Sequence, residues 1–340
     1  MAGEPFEPLR LAWFYKPPGD NNLANLDDFD VFVLTHKDEA DRDRLKARHP
    51  GQLFLNYFRF NEIFAPASCQ EEPYGNQVAY LAGDYCRLSA EHPDWFLLDA
   101  QGRPLIKPSG YALMDPRAPG WRAFWLQRAQ TAIQNWGWDG IFIDNVEASL
   151  DKLRDRDLLP AAYQDDGAYQ TQIRGFLEYL YQAYFQPRQI PLYANIIALN
   201  DGDVWKSYLP VLDGVMLEQF AVDWTDGYLS AAAWEEQLRL VEAADQQGKH
   251  VVLVAQGGQA DTPRQTFALA SYLLVTSART SFRYSNDAHY AEVWRYANYA
   301  LDLGQPLGAR YSAHTTWRRD FERGHVIVDP AAHTATIVIP

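Results

Sequence analysis

The chain has 340 residues, 47% of them hydrophobic, which is enough for a substantial core in one large barrel or two smaller domains. Its formal net charge of −14 and the lack of a basic stripe exclude a nucleic-acid groove and favour neutral or cationic partners. No run approaches the roughly 20 apolar residues that span a bilayer, and the first residues lack a signal-peptide pattern. We therefore expect no membrane partner and a soluble protein, either cytoplasmic or the mature form of a secreted one.

Short β-rich runs alternate with amphipathic stretches along the chain. Eight runs are candidate strands: RLAWFY (10–15), DVFVLT (30–35), QLFLNYF (52–58), GIFID (140–144), IPLYANI (190–196), GVMLEQF (214–220), HVVLVAQ (250–256) and TSFRYS (280–285). The stretches between them carry apolar residues at helical spacing. Eight β/α repeats with nearly continuous apolar strands predict a closed (β/α)8 TIM barrel. No GxGxxG follows the first strand, so a dinucleotide-binding sheet is disfavoured.

Two regions depart from the repeat. A long insertion, residues 60–117, follows the third strand, and DWFLLDAQGRPLI (94–106) within it predicts a hairpin with Gly102 in the turn. The ending HVIVDPAAHTATIVIP (325–340) predicts a two-stranded appendage. We predict a barrel domain over 1–305 and a C-terminal β extension over 306–340. Cys69 and Cys86 lie in the insertion and form either one disulfide or two free thiols.

Two of the strands carry an acid at the same position. Asp144 follows Gly140 and three apolar residues, and Glu218 follows Gly214 and three apolar residues. Strand side chains alternate, so each acid shares a face with its glycine, and active sites of such barrels lie at the C-terminal strand ends. Two carboxylates on next-but-one strands can flank a glycosidic bond, one ionised and one protonated. The pattern favours a pair of catalytic acids, although Asp144 alone also suits a helix cap.

Further polar and aromatic residues near the strand ends are candidate ligands for a carbohydrate, since flat rings stack on sugar faces and amides bond to hydroxyls. Several have a structural alternative: a core position for Trp13, a turn for Asp115, solvent exposure for Glu147, and backbone bonding for the two amides of strands five and seven. Near the end of the eighth strand, Tyr284 could contribute a hydroxyl to the site and Arg283 a charge. The candidates are Trp13, Tyr15, Asn56, Tyr57, Asp115, Asn145, Glu147, Asn195, Gln256 and Tyr284.

Other chemistries find little support in the sequence. The eight histidines are scattered without HxH or HExxH spacing, so we predict no metal site and no cofactor. No lysine lies within a central strand, and no GxSxG motif is present. Two alternatives stay open beside hydrolysis: a catalytically silent sugar-binding barrel, and a transglycosylase that passes the sugar to another sugar.

Several segments resemble a known family. GWDGIFIDNVEAS, HPDWFLLDAQGRPL and MDPRAPGWRAFW, with the ending WRRDFERGHVIVDP, resemble bacterial glycoside hydrolases of the hypothetical glycosyl hydrolase family 15 group along most of residues 8–340. The resemblance implies a TIM barrel that hydrolyses an oligo- or polysaccharide. More remotely, acids on strands four and six are similar to those of dextranase-type and α-galactosidase-type barrels. That likeness implies Asp144 as nucleophile and Glu218 as acid/base of a retaining mechanism.

Overall fold

The structure, a computed structural model, describes residues 7, 9–14, 26–198, 201–224 and 226–339. Tyr15 therefore lies outside the described residues. The strands of this part are β1 Ala12–Phe14, β2 Val31–Leu34, β3 Leu53–Arg59, β4 Glu62–Phe64, β5 Tyr111–Leu113, β6 Gly140–Glu147, β7 Leu192–Ile197, β8 Gly214–Leu217, β9 His250–Gln256, β10 Thr280–Ser285, β11 Tyr311–Ala313, β12 Thr316–Phe321, β13 Gly324–Asp329 and β14 Thr334–Val338.

Helices follow most of the barrel strands. Within the described residues they are α1 Glu39–Arg48, α2 Asp84–Glu91, α3 Pro119–Gln134, α4 Asp151–Arg154, α5 Asp166–Leu180, α6 Gln186–Arg188, α7 Gly202–Ser207, α8 Ala231–Gln246 and α9 Thr262–Val275. A π-helical turn, Tyr181–Phe185, joins α5 to α6. No helix in the part of the chain described is long and apolar enough to cross a membrane.

Eight strands of the described chain form one sheet in the order β1-β2-β3-β6-β7-β8-β9-β10, which confirms the predicted (β/α)8 barrel. The pairs β3–β6, β6–β7, β8–β9 and β9–β10 are parallel. Leu11, directly before β1, forms a parallel bridge with Phe282 of β10, so the first strand pairs with the last. At the start of β6, a Cβ atom on Gly140 would lie 2.4 Å from the carbonyl oxygen of Pro191, so this close approach requires glycine.

The chain divides into two compact units. The first, residues 1–32, 45–52 and 214–340, contains β8 to β10 and a C-terminal antiparallel sheet in the order β11-β12-β13-β14. The two strands that we predicted for the ending are present as β13 and β14, and β11 and β12 extend them to a four-stranded sheet. Arg319 of β12 donates to the carbonyl oxygens of Leu273 (3.1 Å), Leu274 (3.2 Å) and Thr276 (2.9 Å). A cation placed on the last carbonyls of α9 is favourable, and it ties the small sheet to that helix.

The second unit, residues 33–44 and 53–213, contains β3, β6, β7 and the long insertion. The predicted hairpin is present: Leu98 bridges Pro104, and Gly102 has a φ of 75° in the turn. Asn76 ties the insertion to the end of β3, because the Arg59 amide donates to the Asn76 carbonyl at 3.0 Å. Within the insertion, the Phe64 amide of β4 donates to the Gln77 side chain at 3.2 Å.

Cys69 and Cys86 form a disulfide, which decides between the two alternatives that the sequence left open. The bond joins α2 to the preceding loop across 17 residues. Asp84, at the start of α2, is buried and pairs with Arg128 of α3 at 2.8 Å. The disulfide fixes α2 within the insertion, and the ion pair joins α2 to α3.

We expect the Cys86→Ser substitution to lower the free energy of unfolding by about 3 kcal/mol, because closing a loop of this length restricts the unfolded chain by roughly that amount. Guanidinium denaturation with and without a reductant measures the effect. Reductant should bring the wild type to the midpoint of the variant and leave the variant unchanged. Ser89→Ala on the same helix is the control. An unchanged wild-type midpoint in reductant would contradict the prediction.

Candidate functional site

Asp144 lies at an irregularity in β6. The pairing of β6 with β7 shifts between Ile143 and Val146, so one extra residue is inserted there, and Asn145 has a φ of 58° in the left-handed region. We predicted that the strand would stop at Asp144, and this was wrong, since β6 continues to Glu147. Bulges and left-handed residues re-aim side chains and cluster at functional sites. The bulge directs Asp144 toward polar groups of its neighbouring strands.

Both carboxylate oxygens of Asp144 accept hydrogen bonds from residues that the sequence nominated. The hydroxyl of Tyr57 on β3 donates to Oδ2, and the side-chain amide of Asn195 on β7 donates to Oδ1 at 3.1 Å. Tyr57 and Asn195 are buried, at 5% and 3% exposed. A carboxylate held by two donors from flanking strands is fixed in orientation, as a nucleophile or base requires.

A buried cluster of charges lies beside Asp144. Arg59 at the end of β3 and Lys107 of the insertion both pair with the buried Glu62. Burial alone would raise the pKa of Glu62, but the two cations lower it. Burial opposes the charge of Arg59, yet Tyr57, Glu62, Tyr111 and Asp144 raise its pKa, so this guanidinium is a fixed positive charge in the field of Asp144.

A small cavity adjoins the bulge. Its lining includes Asn145, Glu147, Glu62, Lys107 and Lys152. Glu147 pairs with Lys152 at 2.8 Å and is largely shielded. Asn145 and Glu147 therefore share one polar recess directly after Asp144.

Glu218 directly follows β8 and is held by a second set of partners. The hydroxyl of Tyr290 donates to Glu218 Oε1 at 3.0 Å. The side-chain amide of Gln256 donates to the Tyr290 oxygen at 2.6 Å and to the Glu218 carbonyl at 3.1 Å. Burial raises the pKa of Tyr290 most, and the negative charge of Glu218 raises it further. The hydroxyl of Tyr290 therefore stays protonated and donates to the carboxylate.

Arg283 supports Tyr290 from behind. Its guanidinium donates to the carbonyl oxygens of Phe14 (2.8 Å) and Tyr290, and it lies 4.2 Å from the ring centre of Trp13. Burial lowers the pKa of Arg283, but a guanidinium remains charged at neutral pH. The arginine thus joins the end of β1 to the segment that carries Tyr290.

Four other candidates are not placed beside either acid, and three of them make structural contacts. Trp13 is 1% exposed and packs under Arg283 and against Phe29, as its core alternative proposed. Tyr284 donates to the loop carbonyls of Gly258 and Asp261. Asp115 accepts from Arg117 and from Tyr163 (3.2 Å).

Asn56 is the fourth of these. It is fully buried, and its neighbour Phe58, two residues on, packs on Trp125 of α3. Strand alternation therefore puts Asn56 on the helix side of β3, away from Tyr57, and the structure does not bring it to Asp144.

Sequence reasoning missed Tyr290, Arg59, Glu62 and Lys107. Tyr290 lies in an irregular stretch after β10, and Glu62 and Lys107 lie in the insertion, so no strand periodicity marked them. Arg59 carried a usable signal. It is two residues after Tyr57 on the same strand and so shares its face.

The family of the chain follows from its sequence. Residues 46–325 match the family described as hypothetical glycosyl hydrolase family 15. The chain belongs to this family. No curated protein matches the chain.

Solved structures show the same fold at low identity. The glycoside hydrolase domain of PelA from Pseudomonas aeruginosa is 19% identical, covers 84% of this chain and 96% of that one, and has a TM-score of 0.54. The noncanonic maltogenic α-amylase AmyB from Thermotoga neapolitana is 11% identical over 95% and 86% of the two chains, with a TM-score of 0.53. The α-amylase from Geobacillus thermoleovorans is 10% identical over 95% and 87%, with a TM-score of 0.51. At these identities the likeness concerns the fold.

Proposed function

We propose that the protein hydrolyses glycosidic bonds of an oligo- or polysaccharide, with Asp144 as nucleophile and Glu218 as acid/base of a retaining mechanism. The observation that carries the proposal is that Asp144 lies in the C-terminal half of β6, Glu218 directly follows β8, and each acid accepts a hydrogen bond from a tyrosine hydroxyl. Catalytic groups of this fold occupy that end. Membership of a glycosyl hydrolase family supports the same reaction class.

The contacts of each acid are compatible with its proposed role. Asp144 accepts at both oxygens and lies beside the guanidinium of Arg59, so its orientation is fixed, as a nucleophile requires. Glu218 accepts from the Tyr290 hydroxyl at Oε1. A positioned hydroxyl donor stabilises the ionised form that an acid/base adopts between the two steps.

The proposed reaction has two steps. In the first, an oxygen of Asp144 attacks the anomeric carbon while Glu218 gives its proton to the leaving glycosidic oxygen, which yields a glycosyl ester on Asp144 and a free alcohol. In the second, ionised Glu218 takes a proton from water, and the resulting oxygen displaces Asp144. This step regenerates protonated Glu218 and free Asp144, and it releases a sugar with the anomeric configuration of the substrate.

A screen of defined α- and β-linked oligosaccharides tests the proposal, with product anomers followed by NMR. Wild-type protein should cleave at least one linkage with retention, and Asp144→Asn and Glu218→Gln should not. Addition of a sugar acceptor separates hydrolysis from transglycosylation, because only the latter converts most of the substrate into longer products. A wild type that binds sugars yet cleaves none would contradict the proposal.

We expect Tyr290→Phe to lower kcat about tenfold and to move the upper pH limit of activity to higher pH. Removal of the hydroxyl takes away a donor that favours ionised Glu218, so Glu218 keeps its proton to a higher pH. The pH profile of kcat/KM measures this shift. Tyr284→Phe is the matched control, since that hydroxyl bonds to loop carbonyls and should leave the profile unchanged. If wild type and Tyr290→Phe had the same upper pH limit of kcat/KM, Tyr290 would not influence the protonation of Glu218.

A further inference from the structure

The chain that follows Glu218 turns back on itself, and its described residues on either side of the turn pair with each other. The Phe220 amide donates to the Val254 carbonyl at 2.9 Å, so pairing with β9 continues past the end of β8. Val222 then forms an antiparallel bridge with Tyr228, which closes the hairpin. Trp224 lies near its tip and is 47% exposed, and among the described residues it is the one tryptophan in the exposed class.

Buried polar side chains fix this hairpin from below. Arg264, 1% exposed, donates to the carbonyl oxygens of Asp223 (2.8 Å) and Gly227 (2.5 Å), one on each side of the tip. The same guanidinium donates to the Gln256 carbonyl at 2.7 Å, at the end of β9. Gln237 accepts from the Ala221 amide at 2.8 Å and donates to the Gln219 carbonyl at 2.7 Å. The indole is therefore presented on a backbone that is braced at both ends.

The exposed face of Trp224 is available to a ligand, and binding would bury it. Burying the indole removes a large apolar area from water, and the hydrogen bonds of Arg264 to the Asp223 and Gly227 carbonyls lower the conformational entropy that the flanking backbone loses on binding. Tryptophan supplies a flat apolar face that complements the C–H face of a pyranose ring. Asp223 and Asp226, on either side of the tip, offer acceptors for ring hydroxyls.

We propose that Trp224 is a stacking platform for a pyranose residue of the substrate chain, in a subsite that neighbours Glu218. The ligand is a neutral or cationic sugar, since the chain carries a formal charge of −14 and the tip has two carboxylates. Trp224 is six residues after Glu218 on the loop that follows β8. A sugar stacked on the indole would therefore occupy a subsite next to the one that contains Glu218. The inference rests on the proposed function, because the sugar is part of the chain to be cleaved.

Affinity electrophoresis tests the subsite without any need for turnover. Wild type, Trp224→Ala, Trp224→Phe and the control Tyr311→Ala are run through gels that contain dextran, soluble starch, xylan or hydroxyethylcellulose. At least one polysaccharide should retard the wild type. Trp224→Ala should then bind it about tenfold more weakly or worse, as truncation of an aromatic anchor does. Trp224→Phe should keep most of the affinity, and Tyr311→Ala, which removes a 45% exposed ring on β11, should bind as wild type.

The outcomes separate this subsite from the hydrolase itself. Retardation that depends on Trp224, with no cleavage in the oligosaccharide screen, supports the subsite and removes the hydrolase. Equal retardation of wild type and Trp224→Ala, or no retardation of the wild type in any gel, overturns the subsite and leaves the hydrolase to its own test. Size-exclusion chromatography adds a third arm. A shift of Trp224→Ala to a smaller species would assign the ring to a protein interface and overturn the proposal.

Discussion

Replacement of Asp144 by Asn should reduce kcat by about 10⁴-fold while the fold and sugar affinity stay close to wild type. The amide keeps the size of the carboxylate and can still accept from Asn195, so neither partner loses its place. The negative charge and the nucleophilic oxygen pair are lost, and covalent catalysis depends on both. Initial rates, with isothermal titration calorimetry of the same sugar, measure kcat and affinity separately.

The comparison with a neutral control makes this result specific. Asp165 caps α5 by accepting from the Ala168 amide at 2.8 Å, and asparagine caps nearly as well, so Asp165→Asn should keep wild-type kcat and stability. If Asp144→Asn turned over within tenfold of the wild type, the acid would be a ligand for hydroxyls. The sugar-binding barrel would then be the better account.

The architecture was predictable because it depends on local patterns. Apolar runs of strand length between helical stretches predict the β/α repeat, and the matched spacing after Gly140 and Gly214 predicts an acid near the C-terminal end of each strand, which is correct for Glu218, while β6 continues three residues past Asp144. The bulge at Asn145 was not predictable, since nothing in GIFIDNVE distinguishes a strand that stops from one that gains a residue. The first hairpin of the C-terminal sheet was also missed, because TWRRDF carries three adjacent charged residues that hide its alternation.

Some hydrogen-bond partners of the two acids were predictable from the sequence and others were not. Tyr57 and Asn195 lie on strands that flank β6, so strand order alone places them near Asp144. Asn56 was nominated beside Tyr57, although alternation argues against it, since adjacent residues of a strand cannot share a face. Tyr290 depends on the path of an irregular segment after β10. Such a path is set by tertiary contacts, here those of Arg283 and Gln256, and has no periodic signature in the sequence.

Glu218→Gln should lower kcat on natural glycosides by about 10²- to 10⁴-fold, the usual contribution of a general acid, and far less on an aryl glycoside of the same sugar. A nitrophenolate leaves without a proton, so the first step needs no acid. The second step still needs a base to activate water, and it becomes limiting. Rate measurements with both leaving groups check this difference, and the exposed Glu236→Gln on α8 is the control that should match wild type on both.

The Glu218→Gln variant also distinguishes a retaining from an inverting mechanism. With a fast first step and a slow second one, Glu218→Gln should accumulate the glycosyl ester, and mass spectrometry should find the added sugar on the peptide that contains Asp144. Azide, a nucleophile that needs no base, should restore turnover and give a glycosyl azide of retained configuration. A product of inverted configuration with no ester would instead assign Asp144 as the base that activates water, because inversion proceeds by a single displacement.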